Sequence, residues 1–157
     1  MKPDAFLTFL LSAASRRLSR PLAATVEGTG LTVPQFFLLA ALWEREGVKA
    51  GDLAARVRLD AATVTGLLDR LEKGGLAERR ADPEDRRALR IHLTAKGKKL
   101  RGELSPRLAA FNRRVTADLS SRFTAQEVSA FLRVLAALAA EEEEGPNGEG
   151  AKKTGTK

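Results

Sequence analysis

Cysteine is absent from this 157-residue chain, and histidine occurs once, at His92. Without cysteine there can be no disulfide, no thiolate nucleophile, no thiol-oxidation switch and no cysteine-ligated zinc. A single histidine cannot build a multi-histidine metal site, and His92 reads as a surface residue on the outer face of a strand. No glycine-rich phosphate loop is present. These gaps leave little with which to catalyse a reaction, so no enzyme activity, cofactor or metal is expected. Nor does any run approach the roughly twenty apolar residues of a membrane-spanning helix. The N-terminal "FLTFLLSAASRRLSR" has an apolar patch, but only Lys2 precedes it and Arg16, Arg17 and Arg20 follow at once. It reads as an amphipathic helix rather than a signal peptide, and a cytoplasmic protein with no membrane partner is expected.

What the chain does have is positive charge: net +7, with 27 Lys+Arg against 20 Asp+Glu. Thirteen basic and eight acidic residues lie between Ala50 and Arg101, so five of the seven excess charges fall in that third. A local basic excess favours an anionic partner such as nucleic acid, although a merely solvated surface has the same composition.

Helix starts are legible. Thr32 with Gln35 makes a capping box, Leu31 and Phe36 its hydrophobic staple, and Pro34 sits where a missing N–H costs little. Thr124 with Glu127 repeats the device, with Phe123 and Val128 as staple. Asp60 can cap a third helix and Thr94 a fourth. Helices are expected at about 5–27, 34–46, 50–57, 60–73, from 95 onward, and 125–142. In the fifth, Leu100, Leu104, Leu108, Phe111, Val115 and Leu119 form one apolar stripe that Pro106 interrupts and bends.

Between the fourth and fifth helices, Leu89, Ile91 and Leu93 alternate with Ala88, Arg90 and His92. That is the period of a half-buried strand. Residues 76–80 can pair with it across "ADPED", whose Pro and Asp are turn formers. The result is a hairpin whose tip carries Asp85, Arg86 and Arg87. The order is therefore four helices, a hairpin and two helices: a mainly α protein with a small β-hairpin. The stretch 143–157, "EEGPNGEGAKKTGTK", reads as a disordered tail.

The stretch "GDLAARVRLDAATVTGLLDRLEKGGL" carries the chemistry. Val64, Leu67, Leu68 and Leu71 fall at i, i+3, i+4 and i+7 and bury one face. Ala62, Gly66, Asp69 and Lys73 lie opposite, flanked by Thr63, Arg70 and Thr65. This is a helix–turn–helix whose second helix can enter a major groove. Ala62 and Thr63 are small and near the helix start, where the dipole and hydroxyls favour phosphate or base-edge contact. Arg70 and Lys73 suit phosphate. Asp69 faces DNA unfavourably unless it pairs with Arg70, Lys73 or a cytosine amine. Gly66 either admits close approach of the DNA or reflects drift at a solvent position. With the hairpin as its wing, Arg86 and Arg87 can reach a minor groove, and Asp85 holds one of those arginines in pose.

The segments "LTVPQFFLLAAL", "DLAARVRLDAATVTGLLDRLEKGGLAERR" and "DPEDRRALRIHLTAKG" resemble the successive signatures of the MarR family, the multiple-antibiotic-resistance type regulators. The resemblance runs through nearly all of residues 5–142, and the Asp-x-Arg of the wing falls on Asp85 and Arg87. It implies a homodimer on a palindromic double-stranded DNA operator, usually a repressor released by a small ligand. Two departures stand out. Many members carry a basic residue where Gly66 stands, so direct base readout is expected to be weaker. Pro21 and Pro106 fall in helices that shape the dimer and the ligand cleft. Residues 32–94 are then the winged helix–turn–helix domain, and 1–31 with 95–142 the helical dimerisation region. A cleft between the first, second and fifth helices, with Phe36, Trp43, Arg16 and Arg17, would suit a small aromatic or anionic effector. The alternative is that Phe36 and Trp43 are only core. A non-specific architectural DNA binder using the same surface is the competing function.

Overall fold

The computed structural model describes residues 2–85 and 87–140. Arg86 and the expected tail at 143–157 lie outside those residues. After a 3-10 turn at Pro3–Ala5 come α1 (Leu7–Val26), α2 (Val33–Glu44), α3 (Ala50–Val57) and α4 (Ala61–Lys73). The strands β1 (Ala77–Ala81) and β2 (Leu89–Leu93) follow, then α5 (Ala95–Ser120) and α6 (Ala125–Ala140). The chain divides into two compact units, residues up to Asn112 and residues from Arg113 on.

In the first unit, α2 starts on the expected capping box. Thr32 Oγ1 accepts from the Gln35 N–H at 3.4 Å, and Gln35 Oε1 accepts from the Thr32 N–H at 2.8 Å. The helix is apolar nearly all round because it is buried: Leu38, Leu39 and Leu42 are sealed from solvent. Around it close Val26 of α1, Leu53 of α3, Val64, Leu68 and Leu71 of α4, Ile91 of β2 and Leu104 of α5. Each such side chain contributes about 1.5–3 kcal/mol by leaving water.

The hairpin pairs β1 with β2 in antiparallel register, Ala77 opposite Leu93 and Ala81 opposite Leu89. Ile91 also exchanges bonds with residues 47–48 on its other side: its N–H donates to Val48 O at 2.8 Å and its carbonyl accepts from Gly47 at 2.7 Å. Alternation predicts Leu89, Ile91 and Leu93 on one buried face. Ile91 and Leu93 are buried, but Leu89 is half-exposed, because the hairpin runs past the edge of the core.

The start of α5 fits closely. Thr94 Oγ1 accepts from the Gly97 N–H and donates to Gly75 O at 2.6 Å. The Trp43 indole N–H donates to Gly97 O at 3.0 Å, and Arg101 donates to the Trp43 carbonyl at 3.1 Å. Pro21 and Pro106 do not end their helices; α1 and α5 each continue through the ring.

In the second unit, α6 starts on the predicted Thr124–Glu127 box, with Glu127 Oε2 accepting from the Thr124 N–H at 2.8 Å. Leu119, Phe123, Val128 and Phe131 line a groove of about 370 Å³. The rest of α6 shows Leu132, Val134 and Leu138 to solvent. No single helix among the described residues is long and apolar enough to cross a membrane.

Candidate nucleic-acid interface

α3 and α4 are joined by a tight turn. Arg58, the helix-ending residue of α3, adopts a left-handed backbone (φ 55°, ψ 50°), and Leu59 N–H closes on Ala54 O at 3.1 Å. Arg58 is the one non-glycine residue with positive φ among the described residues. It is exposed, and nothing in its spelling marked it for this conformation. Two residues on, Asp60 caps α4: its Oδ1 accepts from the Thr63 N–H at 2.8 Å. The Thr63 hydroxyl and then its amide hold the Asp60 carboxyl below the usual carboxylate range.

The four apolar residues Val64, Leu67, Leu68 and Leu71 anchor α4, which leaves Ala62, Thr63, Thr65, Gly66, Asp69, Arg70 and Lys73 on the exposed side. The structure thus brings all six α4 candidates for DNA contact onto one outward surface. The threonine hydroxyls donate within the helix. Thr63 Oγ1 donates to Asp60 Oδ2, and Thr65 Oγ1 donates to the Ala61 carbonyl at 2.8 Å. Gly66 has open space where a Cβ would stand, so no packing demand keeps it glycine. Gly66→Ala is accordingly expected to stabilise the fold by about 0.5–1 kcal/mol, seen as a raised melting midpoint.

Asp69 does pair, but not with Arg70 or Lys73. Arg79 of β1 reaches across to it, with Nη1 at 2.9 Å from Asp69 Oδ1. The same guanidinium also bonds Glu72, whose other oxygen accepts from the Arg79 N–H at 2.8 Å. This clasp fixes α4 against the wing and neutralises an acid on the exposed face. Sequence reading missed it because the contact joins residues ten apart through a turn.

Asp85 bonds the backbone of the wing. Its Oδ1 accepts from the Arg87 N–H at 3.0 Å, and its carbonyl accepts from Ala88 at 2.9 Å. Arg86 lies outside the described residues. A second acid, not singled out by the sequence, anchors the wing base. Asp82 is buried; it accepts from the Glu84 N–H at 3.0 Å and from Arg90 Nε at 2.7 Å, while Arg90 Nη1 donates to Gly47 O at 3.0 Å. The Glu84 amide first, and Arg90 after it, hold the Asp82 carboxyl below its ordinary range. "ADPED" offered three acids, and only the fold distinguishes the buried one.

Ion pairing takes up some of the charge near this surface. Arg56 is taken by Glu44, Arg79 by Asp69 and Glu72, Arg80 by Glu78, and Arg90 by Asp82. Arg58, Arg70, Lys73 and Arg87 make no ion pair among the described residues, and all four lie on the helix–turn–helix or the wing. An array of uncommitted cations beside a helix whose outward face is small suits a polyanion with a groove.

Of the four effector-cleft candidates, Phe36 and Trp43 lie side by side, and Arg16 lines another groove. Phe36 is buried against Trp43 (ring centroids 6.2 Å apart), and Trp43 is tied to Gly97, so both serve the core. Arg16 lines an open groove with Pro3, Phe6, Thr8, Phe9 and Ser12 of the N-terminal segment, and neither aromatic is part of it. Arg17 is exposed on α1.

The family model described as the MarR family matches residues 31–89. The chain is 38% identical over 101 residues to the HTH-type transcriptional regulator TtmR of Methylorubrum extorquens, a match covering 64% of this chain and 52% of TtmR. It therefore spans about half the length of that relative. It is 37% identical over 100 residues to the HTH-type transcriptional regulator MgrA of Staphylococcus aureus, covering 63% and 68% of the two chains. Among solved structures, the transcriptional repressor CouR bound to a 23-mer DNA duplex superposes with a TM-score of 0.75 at 26% identity, over 87% of this chain and 94% of that one. CouR of Rhodococcus jostii RHA1 bound to p-coumaroyl-CoA gives 0.74 at 29% identity, over 88% and 95%. With the fold, the exposed face of α4 and these likenesses in agreement, the chain belongs to the MarR family of winged helix–turn–helix, DNA-binding transcriptional regulators.

Proposed function

We propose that this protein is a homodimeric repressor that binds a palindromic operator and is released by a small anionic or aromatic molecule. The observation that carries the DNA half is the exposed side of α4, where Arg70 and Lys73 stand beside small residues and, with Arg58 of the turn and Arg87 of the wing, make no ion pair among the described residues. In this reading residues 32–94 contact DNA, with α4 in a major groove and the wing at a neighbouring minor groove. Residues 1–31 and 95–142 join two copies. Phe6, Leu7, Phe9 and Leu10 on the N-terminal segment, and Phe131, Leu132 and Val134 on α6, are large apolar residues open to solvent in the single chain, which favours a second copy as their cover. The effector half is supported by CouR, a repressor known both with DNA and with p-coumaroyl-CoA.

The test is binding of the purified protein to the DNA upstream of its own gene and to a scrambled duplex, at two salt concentrations. A preference of about a thousandfold or more with a steep salt slope is expected. Equal, salt-sensitive affinity for both duplexes would favour the architectural alternative. On the preferred duplex, Arg87→Ala is expected to weaken binding by about 1–3 kcal/mol with the oligomeric state unchanged. Unaltered affinity would remove the wing from the interface.

A further inference from the structure

The exposed face of α4 is chemically uneven. Its N-terminal half consists of Ala62, Thr63, Thr65 and Gly66, and its first cation is Arg70. Alanine and glycine bring no side-chain donor. A threonine hydroxyl has one proton to donate, and here both are committed inside the helix, Thr63 to the Asp60 carboxylate and Thr65 to the Ala61 carbonyl. The first of these is a charge-assisted bond, about twice as strong as a neutral one, to a group that is also the helix cap. What remains for a partner is methyl groups and hydroxyl lone pairs.

The four base pairs do not respond equally to such a surface. In the major groove guanine presents two acceptors, O6 and N7, which need donors. Adenine needs a donor and an acceptor held together, as in Asn or Gln. Thymine alone presents a methyl group, which apolar contacts recognise. None of these four residues can serve guanine or adenine bidentately, and three of them carry a methyl.

We propose that the N-terminal half of α4 reads thymine C5-methyl groups through the methyls of Ala62, Thr63 and Thr65, so that each half-site carries thymine where that half-helix lies. This rests on α4 being the recognition helix of a sequence-specific regulator. Arg70 and Lys73, a turn or more farther on, then hold phosphates and set the register without choosing the base.

The experiment begins with duplexes that the wild-type protein itself enriches from a random pool. The enriched sequence is resynthesised with deoxyuridine for each thymidine, which removes only the C5-methyl, and separately with 7-deazaguanine for each guanine. Deoxyuridine at one or more thymines per half-site is expected to weaken binding by about threefold to fourfold each, the value of one buried methyl group. 7-Deazaguanine in the same stretch is expected to have no effect. Thr63→Val, which keeps a γ-methyl in place and loses the hydroxyl, should bind within about twofold of wild type. Thr63→Ser, which keeps the hydroxyl and loses the methyl, should lose about as much as the deoxyuridine opposite it, and the two losses should not add. Wild-type binding by Thr63→Ser together with a loss in Thr63→Val would overturn the proposal, as would sensitivity to 7-deazaguanine in place of deoxyuridine. An enriched sequence indifferent to every thymine methyl overturns this inference alone. A pool from which no sequence emerges overturns the sequence-specific reading, and this inference with it.

Discussion

Gly97→Ala is expected to cost about 3 kcal/mol or more of folding stability and to lower the melting midpoint by roughly 6–12 °C. Gly97 sits in the first turn of α5, where that helix meets the end of α4 and the start of β1. A β-carbon there would lie well inside van der Waals contact of the Leu76 carbonyl oxygen, 3.1 Å from the Leu76 carbonyl carbon and 3.3 Å from Leu93. The obstacle is backbone, so no side-chain rotation relieves it. The residue also anchors its surroundings, because its carbonyl accepts from Trp43 and its N–H donates to Thr94. Pushing α5 away would lengthen both bonds. Gly102, on the same helix, has open space where a β-carbon would stand and supplies the control. Gly102→Ala should be neutral or stabilising by up to about 1 kcal/mol. Thermal unfolding of the two variants side by side separates a helix-propensity effect, which would raise both midpoints, from a steric one, which lowers only the first.

Leu132→Asp is expected to turn the protein into a monomer and to reduce operator affinity by about a hundredfold or more. Leu132 is 56% exposed in the single chain, so an aspartate there costs that chain little. In the proposed dimer the same residue is covered, and a charge without a partner is expensive to bury. DNA affinity falls as well, since each recognition helix then binds its half-site without the other's tethering, an advantage worth about 10²–10⁴ in such arrangements. Leu135 is a poorer probe because it is half-buried within its own unit, where a charge would disturb folding too. Sedimentation together with operator titration gives the answer: a variant that stays a tight dimer with full affinity places the dimer seam away from α6.

Much of the architecture is written locally. The capping boxes at Thr32–Gln35 and Thr124–Glu127, the Asp60 cap and the Thr94 cap all occur where the spelling puts them, because each joins residues three apart. The outward face of α4 is equally legible, since a 100° step per residue and four apolar anchors fix which side is buried. A hairpin follows from alternation and a Pro-Asp turn.

What the sequence could not decide were choices among chemically similar residues. Asp69 was seen to need a cation, with Arg70 and Lys73 near it in sequence, but the path of β1 brings Arg79 to it. Asp82 and Asp85 stand in one turn, but only the first is buried, because the strand end carries it beneath Arg90 and Gly47. Phe36 and Trp43 read alike as ligand wall and as core, and only the fold shows Phe36 buried against Trp43 and Trp43 tied to Gly97. The threonine hydroxyls lie on the predicted face, but a rotamer directed by Asp60 and Ala61 turns their protons away from it. By itself the sequence determined which segments are helices, which faces are apolar and where the positive charge gathers, since those depend on neighbours a few residues apart. Tertiary structure decided that Arg79 is taken by Asp69 and Glu72, Arg56 by Glu44 and Arg90 by Asp82, because those pairings join residues that only folding brings together.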